Sequence, residues 1–439
     1  MIPTRRISPA RFRAPGGTLE TWLFDIPIAV WIGGVLAFYM AWAIGANDVA
    51  NAMGTSVGSG ALTIGRAIVV AGLLEFAGAF LAGGHVTDTV RKGILDMELV
   101  AVRPEFLVYG MLAALASAGS LLLVATAFGL PVSTTHSIVG AIVGFGAVAL
   151  GWEAVAWRKV AGIAFSWLTS PLMGGVLAYL IFRLVRGLIL DSDRPMESAR
   201  RYGPMFYFYV LFIIGMLTLF EGLENLKLDF ELPEALMLSL GLGAIGGGLG
   251  WLFIRRVSDF AEDEEEEPFR HVERIFVVLQ ILTACSVAFA HGSNDVANAI
   301  GPLAAVVHVA QDLDVTGKSP VALWMLALGG VGIVMGLGTF GYRVMETVGR
   351  KITELTPSRG FSAELGAATT IVLASRLGIP ISTTHVLVGA VLGVGFARGI
   401  DVLDLRVVGR ILVSWVATLP IAAILSVFFF YFFKGLLEP

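Results

Sequence analysis

The stretch GANDVANAMG, at residues 45–54, decides the fold of this chain because it returns as GSNDVANAIG at residues 292–301. Eight of the ten positions are identical, and the two copies lie 247 residues apart in a chain of 439 residues. Low-complexity sequence does not repeat over such a distance, so the pair indicates an internal duplication. The chain is therefore expected to consist of two related halves.

A second pair of motifs supports the duplication. Residues 129–141 read GLPVSTTHSIVGA and residues 378–390 read GIPISTTHVLVGA, 249 residues apart. A weaker echo sets Trp167 against Trp415, each of which follows a serine. Because the two offsets differ by only two residues, insertions and deletions between the motifs nearly cancel.

The composition indicates a polytopic membrane protein. Hydrophobic residues make up 56% and charged residues 15% of the sequence, and the mean hydropathy is +0.82, whereas a soluble protein needs more polar residues to cover its surface. The net charge of −4 contains no basic excess, so nucleic acid is not expected as a partner. The single cysteine, Cys285, excludes an internal disulfide framework and argues against a cysteine metal site.

An all-α fold with about twelve transmembrane segments is predicted. Apolar stretches occur at residues 26–45, 67–84, 107–128, 132–150, 160–185, 205–221, 235–254, 275–293, 321–340, 361–377, 381–397 and 408–433. Each is close to the ~20 residues that a helix needs to cross ~30 Å of hydrocarbon. The stretches that flank each Ser-Thr-Thr-His motif either cross fully or form re-entrant hairpins.

Five regions follow from this pattern. They are an N-terminal tail, a first transmembrane repeat, a connecting region, a second transmembrane repeat and a C-terminal tail, at residues 1–25, 26–190, 191–270, 271–433 and 434–439. The connecting region carries the acidic run Glu262–Glu267, which we interpret as a solvated linker between the halves.

The positions of the two Asn-Asp motifs predict inverted repeats. The first motif closes the first apolar segment and the second closes the eighth, so seven crossings separate them. An odd number of crossings inserts the two halves in opposite orientations, which is a common transporter architecture. Lysine and arginine are more frequent on the side of the loop at 255–274, which favours a cytoplasmic central loop in a multi-pass protein of the cell membrane.

The Asn-Asp motifs are candidate cation sites. A carboxylate at membrane depth costs ~2.5 to 3.5 kcal/mol on insertion scales, so it needs a partner or a water-filled cavity. Carboxylate and amide oxygens, with carbonyls freed where a helix unwinds at glycine, suit a small hard cation such as Na⁺ or a proton. Capping and packing are the alternative roles. The candidate residues are Asn47, Asp48 and Asn51 with their copies Asn294, Asp295 and Asn298.

Two further acids lie inside apolar segments. Glu75 and Glu364 are predicted to be coupling-ion ligands or proton carriers, because an ionisable residue at membrane depth is by default functional. Aligning the halves sets Glu75 opposite Ile333, so the two acids are not repeat equivalents.

The Ser-Thr-Thr clusters are candidate anion sites. Each follows a proline and precedes an apolar segment, which is typical of a helix N-terminus with capping hydroxyls. Free backbone N–H groups, hydroxyl donors and the positive end of the helix dipole bind an anion without a net charge; an ordinary cap is the alternative. His136 and His385 could donate to the anion, relay a proton or simply pack. The hydroxyl residues are Ser133, Thr134, Thr135, Ser382, Thr383 and Thr384.

At these motifs the chain resembles the PiT-type inorganic phosphate transporter family, over about residues 26–190 and 271–433. The resemblance implies a homodimeric carrier that moves inorganic phosphate with Na⁺ or H⁺ by alternating access. It also implies phosphate contacts from both Ser-Thr-Thr clusters with Asn47 and Asn294. The implied coupling-cation residues are Asp48, Asn51, Asp295, Asn298, Glu75 and Glu364, with Na⁺ itself at Asp48 and Asp295.

The expected function is therefore import of phosphate by secondary active symport, with no enzymatic activity and no cofactor other than the coupling ion. Within the same fold, a sulfate permease or a proton-coupled carrier of a metal-phosphate complex is an alternative. An intramembrane hydrolase is disfavoured because the chain contains neither an HExxH nor a GxSxG motif. A passive anion channel is a further alternative, and it differs from a symporter because its uptake does not depend on a cation gradient.

Overall fold

The computed structural model of the protein describes residues 22–23, 26–83, 94–219, 230–261, 268–312, 321–377 and 381–438. The N-terminal tail up to residue 21 lies outside the described residues, as do the acidic run Glu262–Glu267 and the Gly-Ile-Pro of the second Ser-Thr-Thr-His motif. The described chain is helical apart from one short antiparallel pairing of β1 (Trp22–Leu23) with β2 (Ile26–Pro27). The predicted all-α fold is confirmed.

Fourteen α-helices are described. Those of the first half and the connecting region are α1 (Ile28–Gly58), α2 (Ile64–Ala82), α3 (Met97–Val100), α4 (Pro104–Ala127), α5 (Thr134–Phe145), α6 (Trp157–Val185), α7 (Pro195–Leu217) and α8 (Leu232–Ala261). Those of the second half are α9 (Pro268–Asp312), α10 (Leu323–Thr339), α11 (Tyr342–Glu346), α12 (Pro357–Leu377), α13 (Thr383–Arg398) and α14 (Leu405–Leu437). Each of the twelve predicted apolar segments coincides with one of these helices.

Among the described residues, fewer helices than predicted apolar segments have the length and hydropathy of a membrane crossing. Within the described ranges, seven helices are long and apolar enough to cross a membrane, or eight if α10 and the bent continuation through α11 form one span. Helices α5 and α13 are short, and 16 residues at 1.5 Å each fall below ~30 Å of hydrocarbon. The count of twelve, the re-entrant hairpins and the inverted orientation stay predictions.

Both Asn-Asp motifs lie inside continuous helices. Helix α1 runs on to Gly58 and α9 runs on to Asp312, well beyond the motif that each contains. The expectation that a helix ends or unwinds at the motif glycine is therefore wrong. The glycines serve close packing instead, because a methyl group at Gly45 or Gly292 would overlap a backbone carbonyl of the crossing helix.

These two crossings are equivalent in the duplication. Gly45 on α1 packs against the backbone of Ile333 on α10, and Gly292 on α9 packs against the backbone of Glu75 on α2. Ile333 and Glu75 are the residues that the sequence alignment sets opposite each other. The four helices α1, α2, α9 and α10 form a central bundle around these contacts.

The remaining long helices are exchanged between the halves. Helix α6 of the first half packs on α12 and α13 of the second half, and α14 of the second half packs on α4 and α5 of the first. Glycines again allow the contact, since Gly389 lies against the backbone of Pro171 and Gly144 against that of Ala423. Two arms result, each made of helices from both halves, and they flank the central bundle.

The predicted helix starts at the Ser-Thr-Thr clusters are present. Helix α5 begins at Thr134 and α13 begins at Thr383, so each cluster lies at a helix N-terminus. The hydroxyls of Ser133 and Ser382 accept hydrogen bonds from backbone N–H groups three residues on, each at 3.3 Å. Both serines are thus N-caps, as their position before an apolar helix indicates.

Candidate functional site

Asp48 lies where both short helices meet α1. Its side chain is 1% exposed. The hydroxyl of Thr134, at the start of α5, donates to one carboxylate oxygen, and that of Thr384, at the start of α13, lies 3.5 Å from the other. Asn51, one turn along α1, donates to the Thr384 hydroxyl at 2.8 Å. Asp48 therefore contacts hydroxyls from both halves of the chain.

Asp295 has a different set of neighbours. Its Oδ2 lies 2.7 Å from Nε2 of His291, one turn earlier on α9. Nδ1 of the same imidazole lies 3.3 Å from Oε1 of Glu75, which reaches in from α2. All three side chains are buried, so a chain of carboxylate, imidazole and carboxylate crosses from α2 to α9.

The two copies of the motif meet at the centre of the protein. One ligand atom each from Asp48, His291 and Asp295 lies within 4.8 Å of the others. Two carboxylates at this separation repel each other strongly where water is scarce, so a cation or a proton is needed between them. Asp48 and Asp295, both of which the sequence indicates as candidate cation ligands, thus lie together in the structure.

The two motif asparagines before these acids are not used alike. Nδ2 of Asn47 donates to Thr126 at 2.9 Å and to the carbonyl of Leu130 at 3.0 Å, and its Oδ1 accepts from the backbone of Val132 at 3.1 Å. Asn47 therefore fastens the loop that leads into α5. Asn294 is only half-buried and donates to its neighbour Asp295 at 3.2 Å.

Glu364 forms the centre of a separate polar cluster. Its carboxylate is fully buried on α12 and accepts four hydrogen bonds from α1 and α9, from Thr55, Ser56, Gln280 and Thr283. Thr55 lies one turn beyond Asn51 on α1, so polar side chains continue along this helix from Asp48 toward Glu364. The structure does not bring Glu364 and Glu75 into one cluster.

Both polar clusters break the duplication. At the spacing of the Asn-Asp motifs His291 corresponds to Ile44, and at that of the Ser-Thr-Thr motifs Glu364 corresponds to Leu115. Glu75 corresponds to Ile333. The repeated motifs are therefore present in both halves. His291, Glu75 and Glu364, by contrast, each correspond to an apolar residue in the other half.

The two predicted histidines lie in an aromatic cluster. The ring centroids of His136 and His385 are 4.6 Å apart, with Trp167 at 4.4 Å from His136 and Trp415 at 3.7 Å from His385. Trp415 also donates from Nε1 to the carbonyl of Pro131 at 3.0 Å. Packing is thus the observed environment of both imidazoles, and their contact with an anion stays a prediction.

The other predicted residues border this region. Thr135 and Thr383 are half-buried in the first turns of α5 and α13, and Asn298 is buried on α9. Sequence reasoning missed His291, although its position four residues before Asp295 places both on one face of a helix. It also missed the four partners of Glu364, for which a polar residue in an apolar segment was the only signal.

Buried carboxylates that meet between apolar helices long enough to cross a membrane are typical of a multi-pass membrane transporter. The chain belongs to the phosphate transporter family, whose sequence profile matches residues 44–426. This confirms the resemblance stated above.

Individual relatives cover most of the chain. A candidate phosphate permease of Haemophilus influenzae is 45% identical over 403 residues, which are 92% of this chain and 96% of the relative. The chloroplastic inorganic phosphate transporter 2-1 of Arabidopsis thaliana is 43% identical over 431 residues, covering 92% of this chain and 72% of the relative. A solved structure titled "The sodium-dependent phosphate transporter" is 42% identical, with a TM-score of 0.83, and the alignment covers 93% of this chain and 99% of that one.

Proposed function

We propose that the protein imports inorganic phosphate across the cell membrane by symport with Na⁺, through alternating access. Membership of the phosphate transporter family supports phosphate as the substrate. The observation that carries the coupling mechanism is the approach of Asp48 and Asp295, from the two halves, beside the Thr134 and Thr384 hydroxyls.

Charge explains why anion and cation are carried together. Phosphate at neutral pH is an anion that two nearby carboxylates repel, and this repulsion is strong where the surroundings are poorly polarisable. Na⁺ held by Asp48 and Asp295 removes the repulsion, so phosphate binds well only after the cations. Asn51 contributes a further oxygen, since its Oδ1 is buried and makes no hydrogen bond among the described residues.

The anion is bound by the N-terminal turns of α5 and α13. Both helices begin beside Asp48, and the dipole and free N–H groups of a helix N-terminus favour negative charge. Thr134 and Thr384 contact Asp48 directly, whereas Ser133 and Ser382 cap their own helices. The proposed phosphate contacts are Ser133, Thr134, Thr135, Ser382, Thr383, Thr384, Asn47 and Asn294.

Na⁺ rather than H⁺ is proposed as the coupling ion, because the solved structure that this chain resembles is titled sodium-dependent. Glu364 is the proposed centre of a further cation position, as its hydroxyl and amide neighbours offer oxygens only a few ångströms away. A homodimer and a cytoplasmic acidic loop are part of the same proposal.

The test is uptake of radiolabelled phosphate into proteoliposomes that contain the purified protein. Three conditions are compared: an inward Na⁺ gradient, an inward proton gradient, and none. We expect accumulation above equilibrium only with the Na⁺ gradient, unaffected by excess sulfate. Accumulation driven by protons alone contradicts Na⁺ coupling, competition by sulfate contradicts phosphate selectivity, and mere equilibration indicates a channel.

A further inference from the structure

We propose that Asp48, His291 and Asp295 form a binding site for one divalent transition-metal cation of the Zn²⁺ and Co²⁺ class. Binding itself needs only these side chains. That such a cation competes with Na⁺ rests on the function proposed above, because both cations are placed in the same space between Asp48 and Asp295.

The donor set supports a transition metal. Two carboxylates and one imidazole offer ligand atoms within 4.8 Å of one another. Na⁺ is a hard cation that gains little from an imidazole nitrogen, whereas imidazole is the commonest protein ligand of Zn²⁺ and related ions. Three protein ligands with one open position are typical of zinc sites that also accept an exogenous ligand. The His291 nitrogen thus sets this site apart from an oxygen-only sodium site.

The surroundings of His291 resemble the support of a metal-binding histidine. Such histidines usually direct their second ring nitrogen at a carboxylate, which fixes the ring and raises its basicity. Here Glu75 Oε1 lies 3.3 Å from Nδ1, and Nε2 is directed at Asp295. Glu75 is fully buried, so the desolvation of its carboxylate needs a compensating interaction of this kind.

The ligand atoms also have free capacity. His291 Nδ1 and Glu75 Oε1, 3.3 Å apart, form no hydrogen bond of acceptable geometry within the described part of the chain. His291 Nε2 and Asp295 Oδ2, 2.7 Å apart, form none either. Both side chains are 2% exposed or less. Buried polar atoms without such a bond are costly, and a metal ion that both atoms coordinate removes this cost.

The duplication sets the number of sites at one. Ile44 occupies the position that corresponds to His291, and Ile333 the position that corresponds to Glu75. Neither isoleucine is able to coordinate or orient a ligand. We therefore expect one transition-metal ion per chain, although the Asn-Asp motif occurs twice.

The experiment is a Co²⁺ titration of the purified protein, followed by visible absorption, in phosphate-free buffer. The protein carries Cys285→Ser, which removes the single thiol, and has no histidine tag. We expect saturable binding of one Co²⁺ per chain with the ligand-field bands that imidazole coordination produces. His291→Gln is expected to weaken binding at least tenfold, and Glu75→Gln, which removes only the support of the ring, by about 10- to 100-fold.

His271→Gln is the matched control, because this buried histidine lies on the same helix α9 but 20 residues before His291, about 30 Å away along the helix axis. It should bind Co²⁺ as the parent protein does. Monodisperse elution in detergent verifies that each variant is folded, and the parent protein alone tests binding if a variant fails to fold. The proposal is overturned if the parent protein shows no saturable binding, or if His291→Gln and His271→Gln bind Co²⁺ with equal affinity.

A second measurement separates this inference from the proposed function. Added Na⁺ should raise the apparent Kd for Co²⁺, and micromolar Zn²⁺ should inhibit Na⁺-driven phosphate uptake competitively with Na⁺. Co²⁺ binding that ignores Na⁺ contradicts the shared site. Na⁺-driven uptake in a protein that binds no Co²⁺ leaves the proposed function intact and removes only the metal site. Co²⁺ binding by a protein that shows no Na⁺-driven uptake supports the metal site and contradicts the proposed function.

Discussion

The Thr384 hydroxyl, at the start of α13, lies 3.5 Å from the carboxylate of Asp48 on α1. These residues are 336 positions apart and belong to different halves of the duplication. A movement of the arm that contains α6, α12 and α13 relative to the central bundle changes this distance. The contact thus links the proposed anion-binding helix of one half to the proposed cation ligand of the other, which is what coupled transport requires.

Asp48→Asn and Asp295→Asn test the cation site. Each change keeps the shape of the side chain and removes the charge that attracts Na⁺. Phosphate uptake measured against Na⁺ concentration should lose its Na⁺ dependence, with a rate lower by about tenfold or more, equivalent to ~1.4 kcal/mol. Asp191→Asn, in an exposed ion pair with Arg186, is the control and should behave as wild type. Normal Na⁺ activation in either buried variant removes that aspartate from the cation site.

Thr384→Val tests the anion cradle. The substitution keeps the volume but removes the hydroxyl that accepts from Asn51 and contacts Asp48. We expect KM for phosphate to rise about tenfold, corresponding to the ~1 kcal/mol of a typical hydrogen bond or somewhat more, with the maximal rate less affected. The control is Thr169→Val at a half-buried position of α6, where the hydroxyl bonds to backbone carbonyls of its own helix. An unchanged KM for phosphate would contradict the proposal that the Thr384 hydroxyl contacts phosphate.

Glu364→Gln tests the second polar cluster. The carboxylate accepts from three hydroxyls and one amide, and a glutamine places a donor where these groups also donate. If Glu364 binds a coupling cation, the Na⁺ activation curve at fixed phosphate should lose cooperativity. Measurement of the Hill coefficient in proteoliposomes decides this, and an unchanged coefficient with normal uptake assigns Glu364 no part in coupling.

Gly45→Ala and Gly292→Ala test the helix crossings. Each new methyl group overlaps a backbone carbonyl, of Ile333 or Glu75, so the helices must separate. We expect destabilisation of about 1–3 kcal/mol, as for other overpacked sites, detected as a lower melting temperature in detergent. Gly34→Ala on α1 is the matched control, because no described atom lies within 4 Å of its added methyl group. Equal melting of Gly34→Ala and Gly45→Ala falsifies the packing argument.

Much of the helical layout followed from sequence because its signals are local. Apolar segments of membrane length predicted the helices, and proline followed by Ser-Thr-Thr predicted the starts of α5 and α13. The duplication marked Asp48 and Asp295 as equivalent candidate ligands. Such features depend on composition and short-range order, which a single sequence contains.

What could not be predicted depends on distant contacts. From the sequence, Gly45 is compatible either with an unwound helix or with close approach of a second helix. Only the position of the Ile333 backbone in the structure decides between the two. The hydroxyls around Glu364 lie about 80 or more than 300 residues away in sequence. His291 precedes the repeated motif and lacks a counterpart, so comparison of the two halves directed attention away from it.

The exchange of α6 and α14 has a consequence for biogenesis. The face of α4 and α5 that binds α14 stays uncovered until the last 33-residue helix of the chain has been synthesised and inserted. Translation of the first half alone yields an incomplete arm, and a ribosome that stops before residue 405 leaves both short helices without their full support. Premature termination therefore leaves this face of α4 and α5 without its partner helix.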